Sequence, residues 1–174
     1  MKTIFKTGMA LLVLALTMTS CGDDDSGSTG GGNNNLPSGS YIQAEVDGST
    51  FKSEIMGQST ALVNKVGSGE GTLITIQGTT LDTNTLLLAI DGITETGTYT
   101  VDAEDDGTLM AYFSANNSIS YDTSDCAGAT GTLKITHLDD SKIEGTFEFV
   151  GKDDENCSNT KSITEGSFRG IFSN

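Results

Sequence analysis

Beyond residue 40 the chain alternates apolar and polar positions with period two, and no window of helix length keeps a helical period. Tyr41–Val46 sets Ile42, Ala44 and Val46 on one face, and Asp47-Gly48 supplies the residue pair a tight hairpin needs before Phe51. Strands are predicted at 72–78, 85–91 (Leu86, Leu88 and Ile90 on one face), 97–101 and 108–113, with Asp106-Gly107 turning between the last two. A short strand at 119–121 leads into a polar loop. Strands at 132–138 and 144–150 flank the turn 139–142, a strand at 163–172 closes the chain, and 61–66 carries a fainter strand pattern. Roughly 9–11 short antiparallel strands with polar turns predict an all-β domain, a β-sandwich or a flattened meander barrel. Gly67-Ser68-Gly69-Glu70-Gly71 reads as a hairpin connection. It lacks the Gly-Lys-Ser/Thr and the following helix of a phosphate loop.

Residues 1–40 follow a different logic. Lys2 and Lys6 precede the apolar run from Met9 to Leu16, and small residues Thr19 and Ser20 follow, the layout of a secretory signal. The run is too short to span a bilayer. Cys21 comes next, so Met18-Thr19-Ser20-Cys21 looks like a bacterial lipobox with Met18 where Leu is usual. From Gly22 to Ser40 the composition is Gly, Ser, Asn and acid, which cannot form a core. Such a coil has a root-mean-square reach on the order of 23 Å. The expected organisation is a signal peptide at 1–20, a lipidated Cys21 with a flexible linker to 40, and a single all-β domain at 41–174.

Cys21-Gly22-Asp23-Asp24-Asp25, a Gly/Asn-rich spacer and then a β domain resemble the small surface lipoproteins of Bacteroidota. The domain is similar to one of their families through Ala44-Glu45-Val46-Asp47-Gly48, Gly97-Thr98-Tyr99, Gly145-Thr146-Phe147-Glu148-Phe149 and Gly166-Ser167-Phe168. The resemblance implies lipid anchoring to the outer membrane, with the domain facing the cell exterior. That family has no assigned activity, so no site residue carries over.

Charge narrows the partners. The chain has 9 Lys and Arg against 24 Asp and Glu, a formal net charge of −15. The leader takes Lys2 and Lys6 with it, so the mature chain is more acidic still. Phosphate backbones repel such a surface, which argues against nucleic acid. A monomer tied to the membrane through its lipid is expected, with a protein or glycan ligand of unknown identity. Glycan platforms favour exposed Trp and Tyr. Here there is no Trp, and Tyr41 and Tyr112, opposite the aliphatic faces of their strands, are the best candidates for exposure.

With Cys21 lipidated, Cys126 and Cys157 remain in an oxidising compartment. Reflecting the chain about the 139–142 turn sets them nearly opposite each other across the open end of that hairpin, so a disulfide is expected. There is no C-x-x-C spacing and one His, which leaves a redox pair or a thiolate metal site without support.

No catalytic residue is predicted. His137 is the lone imidazole, expected half-buried at a strand end, and neither G-x-S-x-G nor H-E-x-x-H occurs. If consecutive strands run up and down, the loops 80–84, 102–107, 122–130 and 151–161 share one end and gather ten acids. Such an oxygen-rich rim suits calcium, and Asp102, Glu104, Asp106, Asp125, Asp153 and Asp154 are its candidate ligands; no other cofactor is expected. Residues 102–107 mimic half of a calcium loop, but Phe113 stands where its closing Glu belongs. The competing reading is a solvated acidic surface that keeps the protein soluble. A non-enzymatic binding or envelope-structural module is therefore expected. The alternative is a small hydrolase or glycan-processing accessory using acidic loop residues.

Overall fold

The computed structural model describes residues 39–104 and 107–173. Apart from one 3-10 turn at Gly69–Gly71, every regular element among them is a strand. In chain order these are β1 (Tyr41–Val46), β2 (Ser49–Lys52), β3 (Glu54–Ile55), β4 (Gln58–Ser59), β5 (Leu62–Val66), β6 (Leu73–Thr79) and β7 (Thr85–Asp91). There follow β8 (Gly97–Asp102), β9 (Leu109–Ser114), β10 (Ile119–Asp122), β11 (Thr130–Leu138), β12 (Lys142–Asp153) and β13 (Thr160–Ile171). The predicted all-β class holds. The architecture is an antiparallel sheet of 11 strands curled into a half-barrel, with β3–β4 as a separate hairpin.

The two short additions have a local cause. Asp47 and Gly48 both take positive φ (49° and 77°), as the Asp-Gly turn requires. Met56 and Gly57 do the same (52° and 79°) between β3 and β4, with a residue pair that carries no turn signature at its first position.

The long strand β12 organises the rest. On one side it pairs with β13, which in turn pairs with β1, and β1 with β2. On its other side lie two strands end to end. β11 covers Ile143 to Val150, and β10 covers Lys152 and Asp153. The sheet therefore forks beside β12. One limb continues through β11 to β8, and the other through β10, β9, β7 and β6 to the edge strand β5.

Curling folds the inner faces of the limbs onto each other. Ile42, Ile74, Ile76, Leu86, Leu88, Met110, Leu133, Ile143, Ile163 and Phe168 form one buried cluster. Such burial, at about 25 cal/mol per Å² of apolar surface, is the main force holding the limbs together. Two glycines allow the closest approaches. A Cβ on Gly78 of β6 would strike Ile42 of β1 and Ser53 just after β2, and one on Gly131 would strike Met110 and Phe149.

The outer faces differ. On β5, β6, β7 and β9 the outward positions include Leu62, Val66, Leu73, Leu87, Ala89, Leu109, Ala111 and Phe113, and Asp91 is their one charge. On β8, β11 and β12 the outward positions are Thr98, Thr100, Thr130, Thr132, Lys134, Thr136, Lys142, Glu144, Thr146, Glu148, Val150 and Lys152, with Asp102 at the end of β8.

Candidate functional site

The fork brings the predicted cysteines together. β10 and β11 run in the same direction beside β12, so residues 123–129 between them must leave the sheet. Cys126 in that excursion is bonded to Cys157 in the β12–β13 loop, with Cα atoms 5.6 Å apart. Cys126 is buried, and Thr123 beside it donates its N–H to Met110 O at 3.1 Å. The hairpin symmetry read from the sequence holds across the whole β11–β12 register, shifted once between Ile135 and His137.

Asp153 lies at the same place, 1% exposed. Its Oδ1 accepts the N–H of Asn156 (2.9 Å), and its Oδ2 accepts the N–H (2.9 Å) and the amide of Asn159 (2.6 Å). The Asn156 N–H does most to lower its pKa, burial opposes, and Asn159 and the Cys157 N–H add to the lowering, which reaches about 2. Asp122 serves its own loop similarly, accepting the N–H (3.0 Å) and hydroxyl (2.9 Å) of Ser124. Asp102 accepts the N–H of Glu104 at 2.9 Å. These carboxylates act as local turn braces.

Among the described residues the candidate calcium ligands are not drawn into one group. Glu104, Asp125 and Asp154 are exposed, Asp102 ends β8, and Asp153 is buried in its own loop. Asp106 lies outside the described residues, as does the lipidation candidate Cys21. Among the described residues no group of three or more His, Cys, Asp and Glu could hold a metal ion. The assumed loop clustering also fails in one part. Ala115 N–H donates to Asn84 Oδ1 at 3.1 Å, so loop 80–84 neighbours 115–117, which the up-and-down order of strands would put at the opposite end. The cause is the fork: β7 pairs directly with β9, and β8 between them in sequence peels away to β11.

His137 is half-exposed near the β11–β12 turn, its Nε2 2.7 Å from Asp139 Oδ2. Asp139 also accepts the N–H (2.7 Å) and hydroxyl (2.7 Å) of Ser141 and the N–H of Lys142 (2.9 Å). The Ser141 hydroxyl, with His137 and these amides, holds the Asp139 carboxyl well below the usual range. The lone imidazole thus belongs to a turn.

Tyr41 and Tyr112 are buried, against expectation, at 6% and 8% exposure. The ring of Tyr112 meets Phe51 edge-on at 6.5 Å, because β9 turns Met110 and Tyr112 inward and leaves Leu109, Ala111 and Phe113 outside. Tyr41 packs under the Arg169 guanidinium at 5.8 Å. Burial pushes both phenols up.

The clefts found among the described residues are shallow. A cleft of about 320 Å³ lies on the polar limb by Thr100, Thr132, Glu148 and Thr164. Another of about 240 Å³ lies by Lys65, Ile93, Leu138 and Asp140. The shifted carboxyls, Asp47, Asp139, Glu144 and Asp153, all move down. A general acid would need the opposite displacement.

These features define a forked, antiparallel half-barrel pinned by one disulfide. The chain belongs to the family described as Domain of unknown function (DUF6252), which it matches over residues 38–171. No curated protein and no solved structure matches it.

Proposed function

We propose that the protein is an outer-membrane surface lipoprotein whose domain works by binding or by building the envelope, without catalysis. The observation that carries the non-enzymatic part is the use of the loop carboxylates. Asp102, Asp122, Asp139 and Asp153, the acids on which a hydrolase reading would draw, spend their oxygens on their own turns. The anchoring part is supported by the lipobox-like Met18-Thr19-Ser20-Cys21 and the acidic, Gly-rich stretch after it. The partners are then the membrane, through the lipid on Cys21, and a protein or glycan ligand.

Metabolic labelling with an alkynyl fatty acid tests the anchor. Wild-type chain should take up label and fractionate with the outer membrane, and Cys21→Ser should lose both. Equal labelling of the two would sink the proposal. A glycan array and an envelope pull-down with the Cys21→Ser chain then ask which ligand class is captured.

A further inference from the structure

We propose that β5 pairs antiparallel with β5 of a second copy of this chain, joining two half-barrels into one sheet about a two-fold axis through Asn64. Among the described residues β5 ends the apolar limb and pairs with β6 alone. Its free backbone groups are a template for another strand.

Charge selects this edge and this occupant. In a chain of net −15, like copies repel wherever acids line the approach. No Asp or Glu occurs from Ile55 to Gly69, the stretch that holds β5. The other free edges differ: β8 ends in Asp102, and β2 lies between Asp47 and Glu54. The one charge on β5, Lys65, would ordinarily deter pairing. Its ammonium is turned back over the Phe172 ring at 4.7 Å and lies 3.9 Å from Asp140 of its own chain.

The strand is also complementary to itself. Antiparallel pairing centred on Asn64 sets Leu62 opposite the second copy's Val66, and Val66 opposite its Leu62. These side chains are 67% and 57% exposed in the single chain, and cross-strand apolar pairs of this kind stabilise sheets. Asn64 meets its own copy, and a carboxamide both donates and accepts. Outward rows that already run from Leu62 through Gln77 to Leu87 and Ala111 would continue unbroken across the axis. A lipid surface suits the apolar face less well. Asp91 and Asp122 stand at its rim and no outward Lys or Arg of this limb could meet anionic headgroups. The arrangement departs from the monomer expected from the sequence.

The test uses the full chain in its own envelope. Opposed positions of an antiparallel pair have Cα atoms about 4.5–5.5 Å apart, within disulfide reach. Asn64→Cys should therefore give about ten-fold more disulfide-linked dimer on a non-reducing gel than Thr50→Cys on the edge strand β2. Adding Val66→Glu should cut that dimer severalfold. An intact Cys126–Cys157 bond by mass confirms that each variant is folded. Dimer no more abundant than in Thr50→Cys, or undiminished by Val66→Glu, overturns the proposal. So does a product whose mass is not twice the chain, which would indicate a different protein partner. Protection of Asn64→Cys from a polar maleimide without any dimer would indicate lipid contact and overturn it as well.

Discussion

The two limbs of the fork share an inner surface and a strand geometry, yet they meet solvent in opposite ways. The β8–β11–β12 side presents threonines and charges outward. The β5–β6–β7–β9 side presents Leu, Val, Ala and Phe, with Phe113 40% exposed. Both limbs bury the same kind of aliphatic residue inward, so folding alone does not require the difference. An apolar outer face in a protein this acidic is a surface with some use other than solubility. The comparison teaches that inward positions hold the half-barrel together, whereas outward positions are where the limbs can have separate roles.

The strongest way to break the comparison is to release the place where the limbs diverge. Replacing Cys126 and Cys157 with Ser opens a loop spanning a sequence separation of 31. It should cost about 3–4 kcal/mol by loop-closure entropy, read as a lower urea midpoint. An unchanged midpoint would mean that the fork is held by strand pairing alone.

Next in size is the contact between inner faces. Gly78→Val puts a side chain into the space filled by Ile42 and Ser53, and should cost about 1–3 kcal/mol as overpacking. Stability equal to wild type would show that β6 and β1 are not closely packed there.

Acid sharpens the comparison at the fork. The Asp153 carboxyl lies at about 2 in the folded protein, below its ordinary 3.8. Its contribution is complete above the ordinary value and is lost as pH falls through about 2. Urea midpoints should therefore fall across that interval, and Asp153→Asn should flatten the slope. A slope identical in the variant would show that the loop braces do not depend on this charge.

The outer faces should give the smallest stability effects. Leu87→Thr on one limb and Thr132→Val on the other should each stay within about 0.5 kcal/mol. A loss of several times that on the apolar limb would mean that its outer face contributes to the fold. Finally, midpoints in millimolar Ca²⁺ and in chelator should coincide, since Asp102 and Asp153 are engaged with backbone amides. A rise with calcium would restore the metal site.

Much of this was legible in the residues. Ile42, Ala44 and Val46, or Leu86, Leu88 and Ile90, announce an inward face because period two leaves no other way to bury them together. The Asp47-Gly48 turn and the β11–β12 hairpin were readable for the same local reason, and with the hairpin came the Cys126–Cys157 pair. β9 was not. Leu109-Met110-Ala111-Tyr112-Phe113 is apolar throughout, so alternation cannot say which set faces inward. The structure chose Met110 and Tyr112 through packing on Phe51 and Gly131. The predicted loop clustering held only in part, because it assumed that strands adjacent in sequence are neighbours in the sheet, and loop 80–84 lies instead beside the turn after β9.

Local chemistry in the sequence was enough to determine most strands, most turns and the disulfide, since each depends on side-chain alternation, positive-φ residues or reflection about one hairpin. Tertiary structure alone decided that β10 and β11 share one side of β12, that β8 leaves β7 and β9 to pair with each other, and that β5 ends the sheet. Those choices depend on which non-local pairings bury the most apolar surface at once, a sum over distant residues that no stretch of the chain contains.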